Sequence, residues 1–360
     1  MSYQLTTDER ASLAERGLLP SSRGDAQPWP GPIPVDREYL RDAYRGCLIG
    51  GAIGDALGRP GEGRTPSTIA ERYGELGDYH PWRGWTSGPK GTITDDTQLT
   101  MEVARTYLAT GFLDPADFAM RVGDWLHTGR GKGRTCTEAA MLILDGKPWI
   151  ETGRESAGNG SAMRASPIGL ARPCDVDLLR QEAALSCVVT HADRMAVAST
   201  VVMAYSVAYL LRVPAGSLDV EHFAGALVAS LDGAPDPAYL ERRRDPPPER
   251  VRLSERITDV TSWLDRSWQN VTAYTWTGAF VLESLPAAIW FFCKFAEYPE
   301  ECLVRAASVG HDSDTIAAMA GNMIGAYHGL EALPQRWRID LEYYDELIEM
   351  ADGLLEISDA

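Results

Sequence analysis

Positive charge is scarce in this chain: 34 lysines and arginines stand against 51 aspartates and glutamates, a formal net charge of -17 at pH 7. Such acidity repels phosphate backbones and removes the electrostatic support that nucleic-acid binding needs. It suits a protein that gathers carboxylates around cations, and it also serves solubility. Cysteine is sparse. Cys47, Cys136, Cys174, Cys187, Cys293 and Cys302 form no C-x-x-C pair and are scattered among apolar stretches. That pattern fits buried free thiols in a reducing, cytoplasmic setting rather than a disulfide scaffold. No basic segment followed by an apolar one opens the chain, so no signal peptide is expected. Long apolar runs are missing too. The most apolar, Met195 to Leu211, is short for a bilayer span and is broken by Ser199, Thr200 and Ser206. It reads as a central helix buried all round, and no membrane partner is expected. Apolar–polar alternation never extends beyond four residues, and no internal repeat occurs. The expected class is therefore all-α.

What is present is a chain of 360 residues, 44% of them apolar, enough for a sizeable core. Residues 1–36 differ from the rest in their proline, glycine, serine and charge (SSRGDAQPWPGPIPVD). They read as an N-terminal extension, partly flexible, with one short helix at Thr7–Glu15. Residues 37–356 read as a single domain. Helical spacing is expected over about 37–57, 95–109, 115–127, 136–145, 175–191, 194–212, 219–231, 253–268, 276–296, 300–308, 314–328 and 340–355. Residues 59–93 read as a long irregular loop, and 232–252 as a proline- and charge-rich surface excursion.

Two acidic clusters sit where loops enter helices. Thr94-Asp95-Asp96-Thr97 is the first and Asp312-Ser313-Asp314-Thr315 the second. Either alone reads as an N-terminal cap complementing a helix dipole, with Thr94 as the cap. Small residues suggest how the two meet. Gly50, Gly54 and Gly58 stand four apart on one helix, and Ala317, Gly321 and Gly325 on another. Two such faces permit close helix contact. Brought together, the aspartates and threonine hydroxyls make an all-oxygen site that favours Mg²⁺, Mn²⁺ or Ca²⁺ over zinc. Four carboxylates at one place need cations, and two match them better than one.

Five motifs in order carry a family resemblance: GCLIGGAIGDALGRPGE (46–62), TDDT (94–97), GNGSAMRASPIGL (158–170), TH (190–191) and VGHDSDTIAAMAG (309–321). The chain resembles the ADP-ribosylglycohydrolase family. The resemblance implies an all-α globule with a central metal-containing cleft. It implies two divalent cations, Mg²⁺ or Mn²⁺, held by Thr94, Asp95 and Asp96 on one side and by Asp312, Asp314 and Thr315 on the other. Glu62, Asp95, Asp96 and Asp314 would be the catalytic residues, with Glu62 near the metals as ligand, water-orienting group, acid or base. Gly131, Gly133, Gly158, Asn159, Gly160, Ser161, Met163 and His191 would border ADP-ribose. Arg130 and Lys132, between those first glycines, offer charge to a pyrophosphate. The implied reaction is metal-dependent hydrolysis of the bond between ADP-ribose and a modified protein side chain, through an oxocarbenium-like transition state.

The chain also departs from the family's pattern. Gly310-His311 stands where relatives have Gly-Gly. His311 would add a donor, narrow the cleft or point away. The loop around 127–133 is neutral to basic, where relatives that cleave ADP-ribosyl-arginine often carry an acid. This keeps open O-acetyl-ADP-ribose, another ADP-ribosylated small molecule or nucleic acid, or polymer ends as substrate. A reading of another class is an immunity-type protein that binds and blocks an ADP-ribosyltransferase toxin, with the N-terminal extension as the occluding segment.

Overall fold

Two helices meet backbone to backbone at the centre of the computed structural model, which describes residues 2–22, 29–83, 87–240 and 249–358. One is Arg37–Gly58 and the other Ser313–His328. A β-carbon at Gly50, Gly54 or Gly58 would overlap the backbone of Gly321, Ala317 or Ser313. Close approach is thus the reason for the small faces, and it offsets the roughly 1 kcal/mol that each helical glycine costs against alanine. Asn322 Nδ2 donates to the Cys47 carbonyl at 2.8 Å, and Ser313 Oγ to the Gly58 carbonyl at 2.9 Å. The C-terminal end of the first helix therefore lies beside the start of the second.

Around this pair the chain forms one all-helical domain. The Arg194–Leu210 helix is buried from Met195 to Leu210, and Ser199, Thr200 and Ser206 keep their hydroxyls bonded to carbonyls of the preceding turn. No helix among the described residues is long and apolar enough to cross a membrane. Strand structure among the described residues is limited to two short pairs, Trp82–Arg83 with Ser87–Gly88 and Tyr239–Leu240 with Arg250–Val251. Five cysteines are buried free thiols; Cys174 is exposed, unlike the expectation for it.

The loop expected over 59–93 contains a helix at Pro66–Tyr73, started by Thr65, whose hydroxyl accepts the Thr68 N–H. The helix expected over 253–268 stops at Ser262, and a second begins at Trp268. The one expected from 276 begins at Val281, because Trp276 sits at φ 56° and the Thr277 and Ala279 carbonyls accept from the Asp312 and Asn159 N–H groups instead of from a helix.

The N-terminal extension packs on the body where it is described. Thr6 and Glu9 form a reciprocal capping box at the start of Thr7–Glu15. Leu13 and Leu18 are buried. The Trp29 ring stacks on Tyr205 with centroids 4.7 Å apart, and the Arg212 guanidinium lies 3.9 Å from its centroid. Residues 23–28 lie outside the described residues, as does the centre of the 232–252 excursion, 241–248.

Candidate metal centre and ligand cleft

Asp55 is the hidden keystone of the acidic site. It lies near the end of the Arg37–Gly58 helix and is fully buried. Its carboxylate accepts four hydrogen bonds: from the Thr94 N–H (2.8 Å), Thr94 Oγ1 (2.7 Å), the Thr97 N–H (3.1 Å) and Thr97 Oγ1 (2.6 Å). Thr94 does hold the N-cap position of the Asp95–Thr110 helix, but its hydroxyl does not cap it. The hydroxyl serves Asp55 instead and lies 3.3 Å from Asp96 Oδ2. Burial lifts the Asp55 carboxyl to about 6, against the downward pull of the Thr97 and Thr94 donors.

The two clusters open on the same cleft. One oxygen each from Glu62, Asp312 and Asp314 lie within 4.8 Å of one another. Asp312 Oδ2 accepts from Asn159 Nδ2 at 2.5 Å, and Asp314 Oδ1 from the Thr315 N–H at 3.1 Å. Asp95 Oδ2 accepts the Gly133 N–H at 3.2 Å. Asp96 Oδ1 is buried without a hydrogen-bond partner. Burial raises Asp312 to about 6 and Asp314 to about 7, the latter helped by the Asp312 charge. Asp95 and Asp96 are pushed well above the usual carboxylate range, by burial first. An orphaned oxygen, several crowded buried carboxylates and a donor set made only of hard oxygens fit a divalent cation such as Mg²⁺ or Mn²⁺. Asp95, Asp96, Asp312, Asp314, Glu62 and Thr315 face the cleft that such a cation would occupy, whereas Thr94 is turned to Asp55.

That cleft measures about 710 Å³, within the usual range for small-molecule sites. Gly131, Gly133, Gly158, Asn159, Gly160, Met163 and His191, the residues expected to border ADP-ribose, line it. Ser161 is a correction: it is wholly buried and does not line the cleft. Its Oγ accepts from Thr200 Oγ1 at 2.9 Å, on the side of the Arg194–Leu210 helix. The charges proposed for a pyrophosphate are a second correction. Arg130 is paired to Glu342 at 2.6 Å, and Lys132 Nζ donates to the Leu126 carbonyl. The loop therefore turns only glycine backbone toward the cleft. His311 is settled as well. Its Nδ1 lies 2.7 Å from Thr277 Oγ1, its ring stacks on Trp276, and it is absent from the cleft lining.

His191 faces the cleft through a short relay. Arg164, fully buried, donates to Thr190 Oγ1 at 2.8 Å, to the Ser186 carbonyl at 2.8 Å and to the Gly160 carbonyl at 3.0 Å. Thr190 Oγ1, accepting from Arg164, has its own proton for His191 Nδ1 at 2.8 Å. The remaining proton of a neutral ring then sits on Nε2. Burial and, secondarily, the Arg164 charge lower His191 to about 3, so the ring is neutral. Gly160 is obligatory here: a β-carbon would stand 2.8 Å from His191 Cε1 and 3.0 Å from Cys136 Sγ.

Sequence reasoning missed Asp55, Arg164 and the short pair Tyr239–Leu240 with Arg250–Val251, from which Tyr239, Leu240 and Arg250 reach the cleft. Asp55 and Arg164 lie inside quoted motifs, but nothing in their local spacing announces their distant partners.

An acidic, oxygen-lined cluster thus opens on a small-molecule cleft in an all-helical scaffold. The model of the family described as ADP-ribosylglycohydrolase matches residues 36–360, and the chain belongs to this family. An uncharacterised protein of Archaeoglobus fulgidus is 30% identical over 320 residues, covering 88% of this chain and 97% of that one. ADP-ribosylhydrolase ARH3 of Mus musculus is 29% identical, covering 86% and 90%. The ADP-ribosyl-[dinitrogen reductase] glycohydrolase of Rhodospirillum rubrum is 26% identical, covering 89% and 97%. A solved structure titled ADP-ribosylglycohydrolase-related protein complex superposes with a TM-score of 0.66 at 28% identity, over 89% of this chain and 99% of that one.

Proposed function

We propose that the cleft binds an ADP-ribosyl group linked to a protein side chain and hydrolyses the glycosidic bond to release ADP-ribose. The observation that carries this reading is the meeting of Glu62, Asp312 and Asp314 within 4.8 Å at the cleft. Asp95, Asp96, Asp312, Asp314 and Thr315, with Glu62, would hold one or two Mg²⁺ or Mn²⁺ ions. Such ions supply Lewis acidity toward the ribose hydroxyls and a lowered pKa for attacking water.

The remaining work falls to the chain's own groups. Glu62, one-third exposed and at the border of cleft and cluster, takes a proton from the attacking water at its carboxylate and returns it to the leaving group. Its charge and those of the aspartates stabilise the cationic ribose carbon as the bond breaks. Gly158 and Gly160 let the ligand approach the backbone, and His191 offers Nε2–H as a neutral donor. Asn159 keeps Asp312 in place.

Hydrolysis of O-acetyl-ADP-ribose or another small ADP-ribosyl compound is the second reading. The glycine-only face of the loop ending at Gly133 favours it, because that loop presents no carboxylate to a guanidinium.

The test is release of ADP-ribose from arginine-, serine- and nucleic-acid-linked substrates and from O-acetyl-ADP-ribose, with Mg²⁺, Mn²⁺ or chelator. Metal-dependent release from a modified protein is expected. Release from acetyl-ADP-ribose alone would favour the second reading, and release from none would overturn both. Asp95→Ala and Asp314→Ala should each abolish turnover.

A further inference from the structure

An arginine enters the carboxylate cluster from the end of the Arg37–Gly58 helix. The Arg59 backbone N–H bonds to the Asp55 carbonyl, anchoring the residue as the helix C-cap. Its side chain is only 14% exposed. Nη1 contacts the Glu62 carboxylate and lies 3.3 Å from Asp314 Oδ2. A β-carbon on Gly131 would stand 3.4 Å from that nitrogen and 3.0 Å from Asp95 Oδ1, so the guanidinium also lies near the first acidic cluster. Arg59 thus stands among the three carboxylates that converge within 4.8 Å, paired to Asp314 and beside Glu62.

We propose that Arg59 is a built-in counter-cation: it holds Glu62 and Asp314 while the protein is metal-free and is displaced from them when a divalent cation binds. The inference rests on the metal reading given above. A guanidinium and a divalent ion compete for the same carboxylate oxygens, and their mutual repulsion at this range is strong. The carboxylates, in turn, cannot remain buried together in ionised form without a positive partner. Arg59 therefore stabilises the empty site and lowers its affinity for metal. Arginine suits the task because its guanidinium stays charged when buried among carboxylates.

The experiment is a Mn²⁺ titration of the metal-stripped full-length chain, followed by the EPR signal of free Mn²⁺, with thermal melts of metal-free and Mn²⁺-loaded protein. Wild type is compared with Arg59→Gln, Arg59→Ala and Arg59→Lys. Arg59→Gln and Arg59→Ala should bind Mn²⁺ about tenfold more tightly, equivalent to about 1.4 kcal/mol. Their metal-free forms should melt lower, with a larger rise on adding Mn²⁺. Arg59→Lys, which keeps the charge but not the fork, should fall between them and wild type. A residue that merely packs would leave Mn²⁺ affinity unchanged or weaken it on substitution. Equal or weaker binding by Arg59→Gln would overturn the proposal alone. No Mn²⁺ binding by wild type or any variant would overturn the metal reading and the proposal together.

Discussion

Thr94 Oγ1 donates to Asp55 Oδ1 at 2.7 Å, tying the entrance of the Asp95–Thr110 helix to the end of the Arg37–Gly58 helix. The first acidic cluster is aimed by a residue that does not line the cleft. Asp55→Asn removes the charge that accepts four hydrogen bonds. Bonds to a charged group are worth about 1.5–3 kcal/mol each, and partial replacement by the amide leaves an expected loss of about 3 kcal/mol. Urea unfolding should show that loss, and ADP-ribose release should fall with it. Unchanged unfolding midpoint and turnover would remove Asp55 from the architecture of the site.

Gly54→Ala tests the helix seam. Its β-carbon would overlap the Ala317 backbone. Overpacking of this kind costs roughly 1–3 kcal/mol, and the helices must part beside Asp55 and Asp314. The matched control is Gly225→Ala in the Val220–Ala229 helix, where a β-carbon meets nothing within 4 Å. There stability should rise by about 0.5–1 kcal/mol. Melting curves of both proteins distinguish a tight seam from a general intolerance of alanine.

Gly160→Ala should weaken ADP-ribose binding while sparing the metal centre. The added methyl presses on the His191 ring and Cys136 rather than on a carboxylate. Calorimetric titration with ADP-ribose should show a raised Kd, with Mn²⁺ binding unaltered. The reverse outcome would move the Gly158–Met163 turn out of the ligand site.

His191 sets an acid limb in stability. Its folded pKa is lowered to about 3 from 6.5. The unfolded chain therefore binds a proton that the native state refuses as pH falls below 6.5, and stability drops in that window. Between pH 6.5 and 5 this amounts to at most about 2 kcal/mol. His191→Gln should lose less stability than wild type between pH 7 and pH 5 in parallel denaturation curves. Identical slopes would mean that the ring is protonated when folded.

Local signals in the sequence carried much of the fold and the candidate site. The small faces at Gly50, Gly54 and Gly58 and at Ala317, Gly321 and Gly325 announced the seam because the four-residue spacing is itself the packing rule. Asp95, Asp96, Asp312 and Asp314 were legible because each cluster marks a helix start. Asp55 was not: its hydrogen-bond partners lie 39 and 42 residues away. Ser161 was misread because a turn next to a ligand has one face on the cleft and the other on the core. Arg130 was misread because its partner, Glu342, is 212 residues away. The helix at Ser166–Ala171 is too short for periodicity to reveal.

The seam between the two glycine-lined helices also has a temporal meaning. Arg59 and Asp314 are 255 residues apart in the chain, so a growing polypeptide carries one half of the acidic centre long before the other exists. Until the second helix docks, the first displays a bare backbone groove at Gly50, Gly54 and Gly58. The acidic centre can therefore close only after the second helix has been made and has docked.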